Sequence, residues 1–228
     1  MISIIIPTYN EIQNIPIRIE ECSALTDAQI ILADGGSTDG TAEYVRDAAI
    51  RNNHLDWIQS GKGRALQMNA GARLASGAWF VFLHADTSLS QSSWEVLRKT
   101  IEEKPQLIGG AFYLQMDHPG WKYNYLAWYS KQRSRLFKTP FGDQAVFVKA
   151  DIFRALGGYR EDFPIMEDLD FVRRLKAAGD FEMLPAYVVT SARRFAEEGF
   201  FRRSCKNLFM QTLYCFGVSP SRLKRWYE

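Results

Sequence analysis

The chain has 228 residues, of which 46% are hydrophobic and 24% charged. This excludes a disordered or low-complexity protein and suits one domain with at most a modest extension. A net charge of +2 is too small to draw nucleic acid through a global field.

Cys22, Cys205 and Cys215 lack metal-ligand spacing and read as reduced thiols. No stretch reaches membrane-spanning length, and Ile2–Ile6 is too short for a signal peptide. The expectation is a cytoplasmic protein.

Ile2–Ile6, closed by Pro7, predicts a buried parallel strand, followed by a helix from about Pro16. Gln29–Ala33 is a second strand and Thr41–Ile50 a helix. Leu55–Gln59 is a weaker third strand. Gly61–Gly63 opens a helix to about Leu74, with Leu66, Met68, Ala70 and Leu74 on its packed face. Trp79–Leu83 is an apolar strand that ends abruptly in His84-Ala-Asp86. This alternation implies βαβ units, parallel pairing and right-handed crossovers.

The second half is less regular. A helix is expected at about Ser92–Glu103, a strand at Gly109–Met116 and an aromatic-rich helix at Trp121–Phe137. Phe141–Val148 reads as strand, Asp151–Leu156 as a short helix, Gly157–Tyr159 as a turn and Met166–Ala178 as a charged helix. Ala186–Thr190 is a last strand, and the pattern is helical from Phe200.

The polar groups cluster where these strands end, at the edge where open α/β sheets bind ligands. Pro7-Thr-Tyr-Asn-Glu11 replaces the glycine-rich loop of a dinucleotide site, so it is either a wall of a base-and-ribose pocket or a capped turn. Asp34, followed by glycines, suits a base or ribose contact, whereas Asp39 suits a helix cap. Lys62 and Arg64 sit at a helix start, where amide N–H groups, dipole and cations converge on phosphate, or else they are solvated surface charge.

Together these loops resemble the successive signatures of family-2 inverting glycosyltransferases. The resemblance rests on Pro7–Glu11, Asp34–Thr41, Gly63 with Asn69 and Gly71, and Leu83–Asp86. It continues through Gly142-Asp-Gln144, Gly157–Tyr159 and Glu167-Asp168, in the family's order, over about residues 1–195. The wording Leu83-His-Ala-Asp-Thr87 is most similar to a small bacterial subgroup of radical-SAM/selenodomain-associated transferases.

The resemblance implies a GT-A (Rossmann-like) α/β fold: a mostly parallel sheet flanked by helices, with a nucleotide half at about 1–105 and an acceptor half at about 106–195. Residues 196–228 would be a helical extension packed on it. It also implies a nucleoside-diphosphate sugar donor, a hydroxyl acceptor, a divalent cation (Mn²⁺ or Mg²⁺) and inversion at the anomeric carbon.

Carried over by residue, Pro7, Thr8, Tyr9, Asn10 and Glu11 would line the nucleoside pocket with Asp34, Asn69 and Ala85. Lys62, Arg64, Arg193 and Arg194 would meet the diphosphate. Asp86 would bind metal, and His84 beside it would either ligate the same ion, hydrogen-bond the phosphate as a cation, or simply sit in the turn. Asp168 would be the general base, with Asp143, Gln144 and Glu167 on the acceptor side.

Two positions depart from the family's pattern. Gly35 and His84 stand where the family usually has acids, and imidazole suits Mn²⁺ far better than Mg²⁺. Two alternatives follow: a nucleotide-sugar-binding module with a decayed catalytic corner, and a nucleotidyltransferase.

Phe201, Cys205, Leu208, Phe209, Leu213 and Phe216 recur at helical spacing, largely opposite Arg202, Arg203 and Lys206. That stripe is expected to pack on the catalytic domain or a second subunit. The alternative is that it lies peripherally on an anionic membrane, at its inner face, to reach a lipid-linked acceptor through 200–226.

Overall fold

The computed structural model describes residues 1–227; Glu228, the end of the expected extension, lies outside the described residues. The chain alternates strands and helices as far as Phe82. In order, the elements as far as Glu103 are β1 (Ile2–Thr8), α1 (Ile15–Ser23), β2 (Ala28–Asp34), α2 (Thr41–Arg51), β3 (Leu55–Gln59), α3 (Arg64–Leu74), β4 (Trp79–Phe82), β5 (Thr87–Leu89) and α4 (Gln91–Glu103). Then come β6 (Gly109–Met116), α5 (Trp121–Phe137), a 3₁₀ turn at Gly142–Gln144, β7 (Val146–Lys149), α6 (Ala150–Ala155), α7 (Glu167–Ala178) and β8 (Phe181–Thr190). Three helices follow: α8 (Arg193–Glu198), α9 (Phe200–Cys215) and α10 (Pro220–Tyr227).

One eight-stranded sheet runs β3-β2-β1-β4-β7-β6-β8-β5. The first four of these strands pair in parallel, as the βαβ pattern requires. Alternation along β1 splits the core. Ile4 and Ile6 join Trp94 and Leu97 on one face, while Ile5 joins Phe80, Phe82 and Phe171 on the other. Helix α3 lies so close to the second face that a Cβ on Gly71 would stand 2.5 Å from Ile5 Cγ2.

Several sequence expectations change. Leu74 is exposed, and the packed face of α3 is Ala65, Gln67, Met68, Ala70 and Ala72. Phe141–Val148 is not one strand, because Gly142–Gln144 coils into the 3₁₀ turn and Ala145, at φ 45°, redirects the chain into β7. Strand β8 is twice as long as expected, and β5 and α8 are additional.

The stripe Phe201, Leu208, Phe209 and Phe216 faces away from the domain. It is Arg203 and Met210 that α9 buries.

Candidate functional site

Strand register gathers the polar loops. Thr8 stands opposite Asp34, and Ile5 opposite Phe82, so the loops after β1, β2 and β4 leave one edge of the sheet together. Strand β7 runs antiparallel to β4 with Val146 against Phe82, which brings the 3₁₀ turn before it to His84. Pairing of Thr87 with Thr190, and a bond from Ser191 N–H to the Asp86 carbonyl, bring the start of α8 to the same place.

The result is a cleft of about 820 Å³. His84, Ala85 and Asp86, just past the end of β4, form its floor, and Pro7, Tyr9, Glu11, Lys62, Arg64, Asp143, Glu167, Asp168 and Arg194 also line it. Arg18 braces the floor from behind, donating to the Ala85 carbonyl at 3.4 Å while pairing with Glu21.

Asp168 is the second residue of α7, which follows Met166, whose φ of 64° turns the acidic end of the helix into the cleft. Its Oδ2 accepts from Gly142 N–H at 2.7 Å. A Cβ on Gly142 would stand 3.0 Å from His84 Nε2 and 3.3 Å from Asp168 Oδ2. Glycine therefore leaves the imidazole, the carboxylate and the cleft in contact.

The electrostatics follow from crowding. Burial, helped by the Arg64 guanidinium, pushes the His84 imidazole down to about 3, so it is neutral at physiological pH. Burial, then the neighbouring Asp168, raises Glu167 to about 7. Asp143 rises to about 6 by burial, with Asp168 and Asp86 adding to the effect against the opposing Arg133. Its Oδ1 is buried with no hydrogen-bond partner among the described residues. Desolvation by the surrounding cleft works against the charge on Arg64, although its side chain is exposed, but Glu167, Asp168 and Asp86 outweigh it and hold the guanidinium above its ordinary range.

Other expected site residues also make bonds that hold the loops in place. Asp34 accepts from Gly36 N–H at 2.8 Å and from the N–H and hydroxyl of Ser37, which shapes its own loop. Asn10, in the left-handed region, accepts from Thr38 N–H. Thr8 is fully buried. Asp39 accepts from the Thr41 and Ile12 N–H groups, a cap that also ties the first loop to the second.

Asn69 sits beside the cleft-lining Glu161. Its amide donates to the Tyr159 carbonyl and Glu161 and accepts from Tyr159 N–H, clamping the Gly157–Tyr159 turn to α3. Gln144 is buried beneath the cleft wall, where its Oε1 accepts from Ser134, Arg133 and Phe141 N–H. Arg193 pairs with Glu11 at 3.4 Å, which leaves Arg194 as the α8 cation on the cleft lining. Asp170 turns inward to Arg174 at 2.8 Å.

The sequence reading missed one wall. Asn207, Met210 and Gln211 of α9, with Lys224 and Tyr227 of α10, line the same cleft. No motif marks them, because they reach it only through tertiary packing of Met210 and the fully buried Leu223.

The glycosyl transferase family 2 model matches residues 3–156. The chain belongs to glycosyl transferase family 2. Among its relatives are PGL/p-HBAD biosynthesis glycosyltransferases of Mycobacterium tuberculosis and Mycobacterium bovis, 30% identical over 178 residues, which are 75% of this chain and 68% of theirs.

Solved structures share the fold. Mannosyltransferase PcManGT from Pyrobaculum calidifontis, in complex with GDP-Man and Mn²⁺, superposes with a TM-score of 0.69 at 18% identity, covering 99% of this chain and 67% of that one. S. aureus TarS 1-349 in complex with UDP gives 0.67 at 17% identity, covering 83% of this chain and 60% of that one. This family-2 chain is a glycosyltransferase with a GT-A fold, and the cleft at its strand ends is the candidate active site.

Proposed function

We propose that the chain transfers a sugar from a nucleoside-diphosphate sugar to an acceptor hydroxyl with inversion, Asp168 acting as general base. The carrying observation is the placement of Asp168 in the cleft, facing His84 across Gly142 with Arg64 and Asp86 beside them. The bound nucleotides of PcManGT and TarS support a nucleotide-sugar donor.

In this reading Asp168 takes the acceptor proton as its oxygen attacks the anomeric carbon from the side opposite the diphosphate. The bond from that carbon to the diphosphate oxygen breaks, and Lys62, Arg64 and Arg194 meet the leaving charge. The nucleotide half at about 1–105 supplies the donor side, and the half at about 106–195 the base.

A divalent cation fits in part. Neutral His84 keeps a lone pair and Asp86 offers a carboxylate on the cleft floor, although no cluster of three ligating side chains exists among the described residues. Asp86 with His84 would hold the ion, which would supply positive charge to neutralise the leaving group.

The test is Asp168→Asn, with calorimetry against UDP-, GDP- and TDP-sugars in Mn²⁺ and transfer assayed over an acceptor panel. Donor affinity is expected to hold while transfer falls about 10²- to 10⁴-fold. Transfer at the wild-type rate removes the base assignment. Binding with no turnover in the wild type favours the degenerate module.

A further inference from the structure

We propose that α5, α9 and α10 together form one surface that lies on an anionic lipid bilayer. The first observation is that α5 is turned inside out. Its buried positions are Ser130 and Ser134, which bond to Gln144, while Trp121, Tyr125, Trp128, Tyr129, Leu136 and Phe137 are 41% to 71% exposed. Trp121, Tyr125, Trp128 and Tyr129 follow i, i+4, i+7, i+8 spacing and so share one outward face. A soluble helix normally presents the reverse pattern.

Helix α9 repeats the inversion, with Phe201, Leu208 and Phe209 outward and Phe216 exposed just past its end. The two helices meet, since Lys122 lies over the ring of Phe201 at 5.1 Å and Tyr123 packs on Phe200 at 5.5 Å. The exposed aromatic surface is thus continuous from one helix to the next.

Charge selects the occupant. None of the three helices contains an Asp or Glu, whereas α5 carries four basic residues and α9 and α10 three each, of which Arg203 and Lys224 line the cleft instead. Arg135, Arg202, Arg222 and Arg225 are exposed and form no ion pair among the described residues. Arg222, Arg225, Trp226 and Val218 enclose a concavity of about 370 Å³, which offers two guanidinium groups to an anionic headgroup.

Outward Trp and Tyr with a cationic fringe suit the interface of a negatively charged membrane. A second copy would set like charge against like charge across a two-fold axis. The opposite side of α9 lines the cleft, so headgroups would lie about one helix diameter, roughly 10 Å, from it.

The test is flotation of the whole chain with vesicles of phosphatidylcholine alone and of phosphatidylcholine mixed with phosphatidylglycerol. Tryptophan emission is followed with brominated lipid as quencher. Partition into the anionic vesicles, quenching by bromine and weakening in high salt are expected. The pairs Trp121→Ser/Trp128→Ser and Arg222→Glu/Arg225→Glu should each lower partition by about tenfold with unchanged thermal melts.

Equal partition into both vesicle types, absence of quenching, or folded variants that float like the wild type would overturn the proposal. So would a dimer in sedimentation velocity that Trp121→Ser/Trp128→Ser dissociates, since a second copy would then cover the face. Should a variant fail to fold, quenching and salt dependence of the wild type still decide.

Discussion

Gly142 donates its main-chain N–H to Asp168 Oδ2 at 2.7 Å, and the missing side chain of the same glycine is what keeps Asp168 facing His84. One residue both holds the candidate base and leaves room in front of it. The sequence pattern Gly142-Asp-Gln144 therefore has a steric meaning as well as a family one.

Gly142→Ala places a methyl 3.0 Å from His84 Nε2 and 3.3 Å from Asp168 Oδ2. Gly142 is not among the positive-φ residues, so the backbone tolerates alanine. Transfer should fall by about tenfold to a hundredfold, in kcat more than in donor affinity, with a melting temperature close to wild type. Steady-state kinetics beside a thermal melt check both halves.

Glu167→Gln tests the crowding of acids. The folded-state value of about 7 lies above the usual 4.5, so the folded state holds the extra proton between those pH values. The carboxyl thus costs nothing below about pH 4.5, and its penalty grows as pH rises through 7. Glu167→Gln should match wild type at pH 4 and exceed it above pH 7 by about 1 to 3 kcal/mol. Urea unfolding at a series of pH values reads this directly, and a gap that shrinks with rising pH would contradict it.

His84→Asp should change metal preference. With a neutral imidazole beside Asp86, transfer is expected to run better in Mn²⁺ than in Mg²⁺. A second carboxylate is a harder ligand and should narrow that preference severalfold. Initial rates in each metal after chelator treatment supply the comparison.

Asn69→Ala should act on stability. Its amide makes three bonds to the turn at Tyr159 and Glu161, and losing them leaves the Tyr159 N–H without its acceptor. A loss of about 1 to 3 kcal/mol is expected in urea unfolding, with donor affinity nearly unchanged. Weaker donor binding without lost stability would return Asn69 to the site.

The framework up to Phe82 was legible because β-branched runs such as Ile2–Ile6 admit few readings, and loops at parallel strand ends share one edge. Strand β8 was half hidden by Pro185, which falls where the pairing with β6 shifts register between Ala111 and Tyr113, a position where proline is tolerated. Phe141–Val148 misled because alternation alone does not reveal that Gln144 turns inward to bond Phe112 and Ser134.

The stripe on α9 was found, but periodicity does not say which face meets a partner. Nor does it say that Asn207 and Tyr227 reach the cleft. Asp34, Asn69 and Gln144 each hold a loop still through hydrogen bonds, a role that their sequence context does not separate from a chemical one.

The ion pair between Glu11 and Arg193 joins positions 182 apart, and the Thr87–Thr190 contact joins positions 103 apart. Closing such loops before any contact rewards them is slow, whereas α3 and the neighbouring β1–β2 pair form from more local segments. On dilution from denaturant, helical signal should therefore return before nucleotide binding, and the lag between the two would time the closing of that edge.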